Sequence, residues 1–252
     1  MSLVSLHNLA FAYDTQPVLE HVSLEVNEHD FLAIIGPNGG GKSTLLKLML
    51  GLLKPTQGSI TLLGTTPSAA RHDVGYVPQN TNVNTDFPVK VLDVVLMGNG
   101  AEHHPLFGYG IEEKACAMEA LQQVGMEDFA ARRIGDLSGG QRQAVSLLMA
   151  TLQPSKILLL DEHTAALDPK TSAFVLELTR QIIEEKQCTA LMVTHSMKQA
   201  LAVGSRTIML HQGQIIFDIR GEERARLGVK DLLDLFSQSQ GETLDDDALL
   251  LG

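Results

Sequence analysis

The run Gly36-Pro37-Asn38-Gly39-Gly40-Gly41-Lys42-Ser43-Thr44 constrains the fold more than any other stretch of this chain. It satisfies the pattern G-x-x-x-x-G-K-[ST] at every fixed position. Five apolar residues of strand length, Phe31-Leu32-Ala33-Ile34-Ile35, precede it, and Leu45-Leu46-Lys47-Leu48-Met49-Leu50 suits a helix after it. A strand, a glycine loop and a helix N-terminus make an anion site, because free backbone N–H groups point into the loop and the helix dipole favours negative charge. The glycines let the backbone close around a phosphate where a Cβ would collide. In this pattern Lys42 reaches the β- and γ-phosphates and the Ser43 hydroxyl takes a place on Mg²⁺.

A second motif complements the first. Ile157-Leu158-Leu159-Leu160-Asp161-Glu162 is four apolar residues followed by two carboxylates. A fully apolar strand is buried on both faces of a parallel sheet, and ligands bind at the C-terminal edge of such sheets. There Asp161 would hold Mg²⁺ through water, and Glu162 could accept a proton from an attacking water.

The rest of the chain narrows the class. It has 252 residues, 44% hydrophobic and 19% charged, enough for one two-lobed domain with a sizeable core. A formal charge of −11 argues against nucleic acid as the main partner, since phosphate backbones need clustered Lys and Arg. It argues equally against a bare anionic membrane surface. No apolar run reaches the roughly 18 residues of a membrane span, and residues 1–9 lack the basic start and apolar core of a signal peptide. Cys116 and Cys188 match no metal or redox spacing, which points to a reducing cytosol.

Strand-like segments are expected at 2–6, 22–26, 59–63 and 74–77, and a polar turn at 80–88. Helical periodicity covers 89–97, 112–124 and 127–132, so a helical insert near 80–150 interrupts an α/β core. Strands follow at 157–160, 189–193, 207–210 and 214–218, with helices at 170–186 and 196–203. The tail, 221–252, carries one amphipathic helix over 229–236 and an acidic stretch over 242–247. His103-His104 reads as loop surface, because neighbouring side chains point apart and make a poor chelate.

Leu137-Ser138-Gly139-Gly140-Gln141-Arg142 separates one P-loop class from the others, and with it the chain resembles the ATP-binding cassette (ABC) ATPases over essentially its full length. The resemblance implies an α/β P-loop NTPase cassette with a RecA-like core at 1–80 and 151–220, an antiparallel β subdomain, and an α-helical subdomain at 81–150. It implies roles in the family's order. Tyr13 stacks on adenine. Gly36, Asn38, Gly39, Gly41, Lys42, Ser43 and Thr44 hold phosphate. Gln79 of Tyr76-Val77-Pro78-Gln79 sits between Mg²⁺, water and the insert. Ser138, Gly139, Gly140 and Gln141 form the signature, Asp161 and Glu162 the metal aspartate and general base, Asp168 of Ala166-Leu167-Asp168 the D-loop, and His195 of Val193-Thr194-His195-Ser196 the switch histidine.

Further expectations follow from the family. ATP and Mg²⁺ are bound, with Ser43, Gln79 and Asp161 around the metal. The signature faces ATP held by a second copy, so the active form is a head-to-tail dimer. It sits peripherally on the cytoplasmic side of the membrane, on integral permease subunits, and meets a substrate-binding protein only indirectly. Motion around Gln79 links the nucleotide to those partners. One departure stands out: His163 occupies the position after Glu162 where most cassettes carry proline, which puts a titratable ring near the phosphates. The helix after the signature also differs, reading Ala144-Val145-Ser146-Leu147-Leu148-Met149-Ala150-Thr151.

Two subfamily resemblances compete for the transported solute. Residues 74–79 with Asp86-Phe87-Pro88-Val89-Lys90-Val91-Leu92-Asp93-Val94-Val95-Leu96-Met97-Gly98 look like manganese, zinc and iron importer cassettes. The 137–251 half, with Gly221-Glu222-Glu223 and its leucine-rich end, is similar to importers linked to aromatic amino acids. The insert contacts the permease in this family, so uptake of a metal ion or metal chelate is favoured over an amino-acid-type solute. A mechanical or regulatory ABC ATPase is the alternative of another class; such proteins carry paired cassettes or long coiled-coil insertions, and neither is present.

Overall fold

A computed structural model of the chain describes residues 2–79, 88–98 and 109–240, without the side chains of 239 and 240. The chain opens with two long strands, β1 (Ser2–Tyr13) and β2 (Gln16–Asn27), then β3 (Phe31–Ile35), helix α1 (Lys42–Met49) and β4 (Gln57–Leu62). A short turn of helix, α2 (Pro67–Ala70), leads to β5 (Val74–Val77). Helices α3 (Val91–Met97), α4 (Ile111–Gln123) and α5 (Gly139–Thr151) come next. The order then alternates: β6 (Ile157–Asp161), α6 (Pro169–Lys186), β7 (Thr189–Val193), α7 (Met197–Val203) and β8 (Arg206–His211). Strand β9 (Gln214–Arg220) and helices α8 (Gly221–Ala225) and α9 (Val229–Gln240) complete it.

Two sheets result. β2-β1-β4 form an antiparallel three-stranded sheet, and β5-β6-β7-β3-β8-β9 a six-stranded one that is parallel except for β9. The central strands β3, β6 and β7 are almost wholly apolar because both faces of the sheet are covered there. Their side chains alternate between two cores. Leu32, Ile34, Leu159, Leu191 and Ile208 pack with α1 and the small sheet. Ala33, Ile35, Leu158, Leu160 and Met192 pack with the helices of the other layer. Each fully buried Leu or Ile is worth about 1.5–3 kcal/mol, so the strand ends that carry the polar groups rest on a rigid base.

The register then fixes the site. Val77 pairs with Leu160, Asp161 with Val193, and Ile34 with Val193. The residues leaving β5, β6, β7 and β3 therefore emerge side by side at one edge.

Several expectations change. The first two strands are longer than 2–6 and 22–26, and the segment 127–132 is not an α-helix but a 3₁₀ turn over Glu127–Phe129. The tail begins with an additional short helix, α8. The turn expected at 80–88, the pair His103-His104 and the acidic stretch at 242–247 fall wholly or largely outside the described residues. Among the described residues no helix is long and apolar enough to cross a membrane.

Candidate active site at the edge of the parallel sheet

Gly36 turns the chain out of β3 with φ 146°, and a Cβ there would collide with the Leu210 carbonyl oxygen, so glycine alone fits. The loop then closes on the first turn of α1. Lys42 is buried, and its Nζ donates to the carbonyl oxygens of Gly36 (2.8 Å) and Pro37 (3.0 Å). Burial pulls its pKa down, while Glu162 and Asp161 pull it up; burial wins. Asn38, Gly39, Gly41, Lys42, Ser43 and Thr44 line a cavity of about 400 Å³, joined from the other strand ends by Gln79 and Glu162. Its volume lies in the range of small-ligand pockets.

The carboxylates hold different places. Asp161 Oδ1 accepts from Ser43 Oγ (3.4 Å) and its Oδ2 from the Tyr76 hydroxyl (3.4 Å). Burial, and then the charge of Glu162, raise the Asp161 pKa. Burial also pushes the Tyr76 hydroxyl up to about 12, helped by Asp161, so it stays a donor. Glu162 adopts φ 43°, a left-handed conformation uncommon outside glycine, with its N–H donating to Val193 O (2.9 Å). Its carboxylate is the meeting point of the site. Oε2 accepts from Gln79 Nε2 (3.1 Å) and lies 3.6 Å from His195 Nδ1, and Oε1 is 3.8 Å from Lys42 Nζ. Four separate strand ends thus converge on one carboxylate.

A lysine in a glycine loop, a serine beside a half-buried aspartate, and a carboxylate met by glutamine and histidine together describe a nucleoside triphosphate hydrolase site. The family model for ABC transporters matches residues 19–165.

The chain belongs to the ABC transporter family.

It is the ATP-binding, ATP-hydrolysing subunit of such a transporter. The manganese transport system ATP-binding protein MntB of Bacillus subtilis (strain 168) is 40% identical over 214 residues, covering 85% of each chain. The tyrosine transport ATP-binding protein of Clostridioides difficile (strain R20291) is 39% identical over 227 residues, covering 87% of this chain and 90% of its own. Among solved structures, an inward-facing metal-chelate type ABC transporter superposes with a TM-score of 0.78 at 33% identity, over 93% of this chain and 88% of its own.

Within one copy of the cassette, the other expected residues stand apart from the cavity. Ser138 and Gln141 cap α5 reciprocally: Ser138 N–H donates to Gln141 Oε1 (2.9 Å) and Gln141 N–H to Ser138 Oγ (3.3 Å). Gly139 lies against Leu167, and Gly140 packs so closely on Thr171 of α6 that a Cβ would overlap its methyl group. Asp168 caps α6, its Oδ1 accepting from Lys170 N–H (3.2 Å) and Thr171 N–H (3.1 Å); hydrogen bonding by the Thr171 side chain, then by these amides, lowers its pKa. Tyr13 ends β1, half-exposed and edge-on to Phe11 at 4.8 Å.

His163 corrects an expectation. Its ring is buried and its Nε2 lies 3.0 Å from Thr179 Oγ1 of α6, so it faces the core and not the phosphates. Two further participants carried no motif. Tyr76 bonds Asp161, and buried Gln143 of α5 donates to Pro78 O (3.3 Å), tying the signature helix to the segment before Gln79. Only the pairing of β5 with β6 and the docking of α5 bring these groups to the site, and neither is visible in local spacing.

Proposed function

We propose that this cassette uses Glu162 as the general base for ATP hydrolysis and drives import of a metal ion or metal chelate. The convergence of Gln79, Lys42 and His195 on the Glu162 carboxylate carries the catalytic reading. A carboxylate held by these groups is placed to take the proton of an attacking water, and Gln79 and His195 to orient that water. Lys42 exchanges the carbonyls of Gly36 and Pro37 for phosphate oxygens when ATP enters. The oxygens of Ser43 and Asp161 fit Mg²⁺, a hard cation that takes few protein ligands beside phosphates and water. When bound, Mg²⁺ offsets charge on the phosphates. Tyr13 offers an exposed ring for adenine.

Ser138, Gly139, Gly140 and Gln141 open α5, whose first N–H groups suit a phosphate. Since they lie away from Lys42 in one copy, they serve the ATP of a second copy in a head-to-tail dimer, with Asp168 beside them. A dimeric ATP-binding cassette bound to ADP and phosphate, 29% identical over 86% of this chain and 98% of its own with a TM-score of 0.73, supports that reading. The dimer works on permease subunits at the cytoplasmic face of the membrane, supplied by a substrate-binding protein.

Metal cargo is supported by relatives named for manganese and zinc transport, at 40% and 36% identity. The tyrosine transport relative, at 39%, favours an amino-acid cargo as the second reading. The test is reconstitution with its permease and substrate-binding protein, in vesicles containing ATP, following accumulation of Mn²⁺, Zn²⁺ and tyrosine. Metal accumulation that Glu162→Gln slows on the order of a hundredfold, while ATP binding persists, is expected. Tyrosine accumulation without metal uptake would overturn the metal reading.

A further inference from the structure

Besides the Glu162 N–H bond to Val193 O, the turns that carry Glu162 and His195 share a side-chain fastening outside the cavity. Gln199 lies in α7, four residues beyond His195. Its Oε1 accepts from two hydroxyls, Thr164 Oγ1 at 3.0 Å and Thr194 Oγ1 at 3.0 Å. Its Nε2 donates to Ser172 Oγ of α6 at 2.9 Å. Thr164 is two residues past Glu162, and Thr194 immediately precedes His195. The residue on the other side of His195 is tied in as well: Ser196 N–H donates to Thr194 Oγ1 (3.1 Å), and Gln199 N–H to Ser196 Oγ (3.3 Å). Thr164, Thr194 and Ser172 are all buried, so each hydroxyl needs a protein partner.

A carbonyl-type oxygen has two acceptor sites, and both are used here, one for each catalytic turn. Such an arrangement fixes the distance between the turns without touching substrate. Across that spacing His195 Nδ1 approaches Glu162 Oε2 to 3.6 Å. Displacements of about 1 Å at a reacting centre cost up to a hundredfold in rate.

We propose that Gln199 is a positioning residue for hydrolysis, its amide oxygen holding the Glu162 turn and the His195 turn in register. The inference rests on the roles assigned above to Glu162 and His195. Three groups of variants are compared for kcat, ATP affinity and melting temperature: Gln199→Met and Gln199→Glu; Thr164→Val and Thr194→Val; Glu162→Gln and His195→Ala. Gln199→Met is expected to lower kcat about tenfold, the loss of one or two buried hydrogen bonds, with ATP affinity held within about twofold. Glu at 199 accepts from all three hydroxyls and restores kcat to within about threefold of the parent. Each threonine variant lowers kcat, and Gln199→Met combined with Thr194→Val is no slower than the worse single change, because the two act through one contact.

Parental turnover in Glu162→Gln or His195→Ala would remove the underlying assignment. If those two are impaired while Gln199→Met keeps parental kcat, or while Glu fails to restore it, the positioning role is wrong and the assignment stands. Should Gln199→Met fail to fold, the two threonine variants decide: parental kcat in both overturns the proposal.

Discussion

His163 follows Glu162, the proposed general base, directly and yet belongs to a helix interface. Thr179 Oγ1 donates to Val175 O (2.8 Å), which commits its proton, so His163 must supply the hydrogen in its own bond to Thr179. The proton therefore sits on Nε2, and burial, which pushes the pKa down to about 4, keeps the imidazole neutral. The sign of the linkage follows. An unfolded chain takes up a proton near the ordinary histidine value of 6.5 and the folded chain does not. Stability from this residue is complete above that pH and is lost as pH falls from 6.5 towards 4. The window is worth about 3 kcal/mol. His163→Asn, which keeps a donor but does not titrate there, should flatten the melting temperature across this window relative to the parent. An unchanged acid transition would place the effect elsewhere. Lys42 and Glu162 are legible from their own motifs, a glycine loop and a carboxylate pair that directly follow apolar strands, whereas Gln79 and His195 are legible only through the family resemblance. The sequence misplaced His163 because the left-handed turn at Glu162 sends successive side chains in different directions, and a dihedral angle is not written in residue order.

At the level of elements, one arginine holds the two sheets together. Arg206 begins β8, where it is buried, and grips Asp218 of β9 with two donors: Nε at 2.7 Å from Oδ1, and Nη2 on Oδ2. Its Nη1 donates to the Glu25 carbonyl of β2 (2.5 Å) and lies 3.8 Å from Asp30. The bond to Asp218, outweighing burial, raises its pKa. Removing it strands a partly exposed carboxylate and a sheet-edge carbonyl, a loss of about 2–3 kcal/mol once solvent screening is allowed for. Arg206→Met should lower the melting temperature and speed hydrogen exchange first in β2 and β9. Uniform acceleration across all strands would mean that the arginine does not hold this junction. Strands β1 and β2 also show where periodicity loses its grip. Alternation was plain at 2–6 and 22–26, but the pairing slips between Leu6 and Leu9 and again up to Ala12. The slip between Leu6 and Leu9 moves the inward face of β1 by a residue, and that between Leu9 and Phe11 moves the inward face of β2, which erases the period-two signal while the ladder continues. The 3₁₀ turn at Glu127–Phe129 fails for the opposite reason: too few residues remain before the next turn for an α-helix to gain from its costly first hydrogen bond.

The whole molecule adds a constraint that no single site contains. Each copy carries a formal charge of −11, and ATP brings more. In the proposed dimer, two copies closing on shared nucleotides approach against net repulsion, which buried Lys42, bound Mg²⁺ and the opening amides of α5 would offset locally. Long-range repulsion is screened within about 10 Å at 0.1 M salt, whereas contacts desolvated in the closed interface are screened far less. The proposed dimer should then tighten as salt rises, opposite to an interface built on attraction between exposed charges. Glu162→Gln is the suitable form for the measurement, because slow turnover keeps ATP in place. Sedimentation equilibrium of this variant with Mg²⁺ and ATP, from about 0.05 M to about 0.5 M NaCl, should show the dissociation constant falling. Without ATP the chain should sediment as a monomer throughout. A dissociation constant that rises with salt would assign the closing force to exposed ion pairs between the copies. A dimer that forms equally well without nucleotide would separate association from the phosphate loop, and the signature residues Ser138 to Gln141 would then need another purpose.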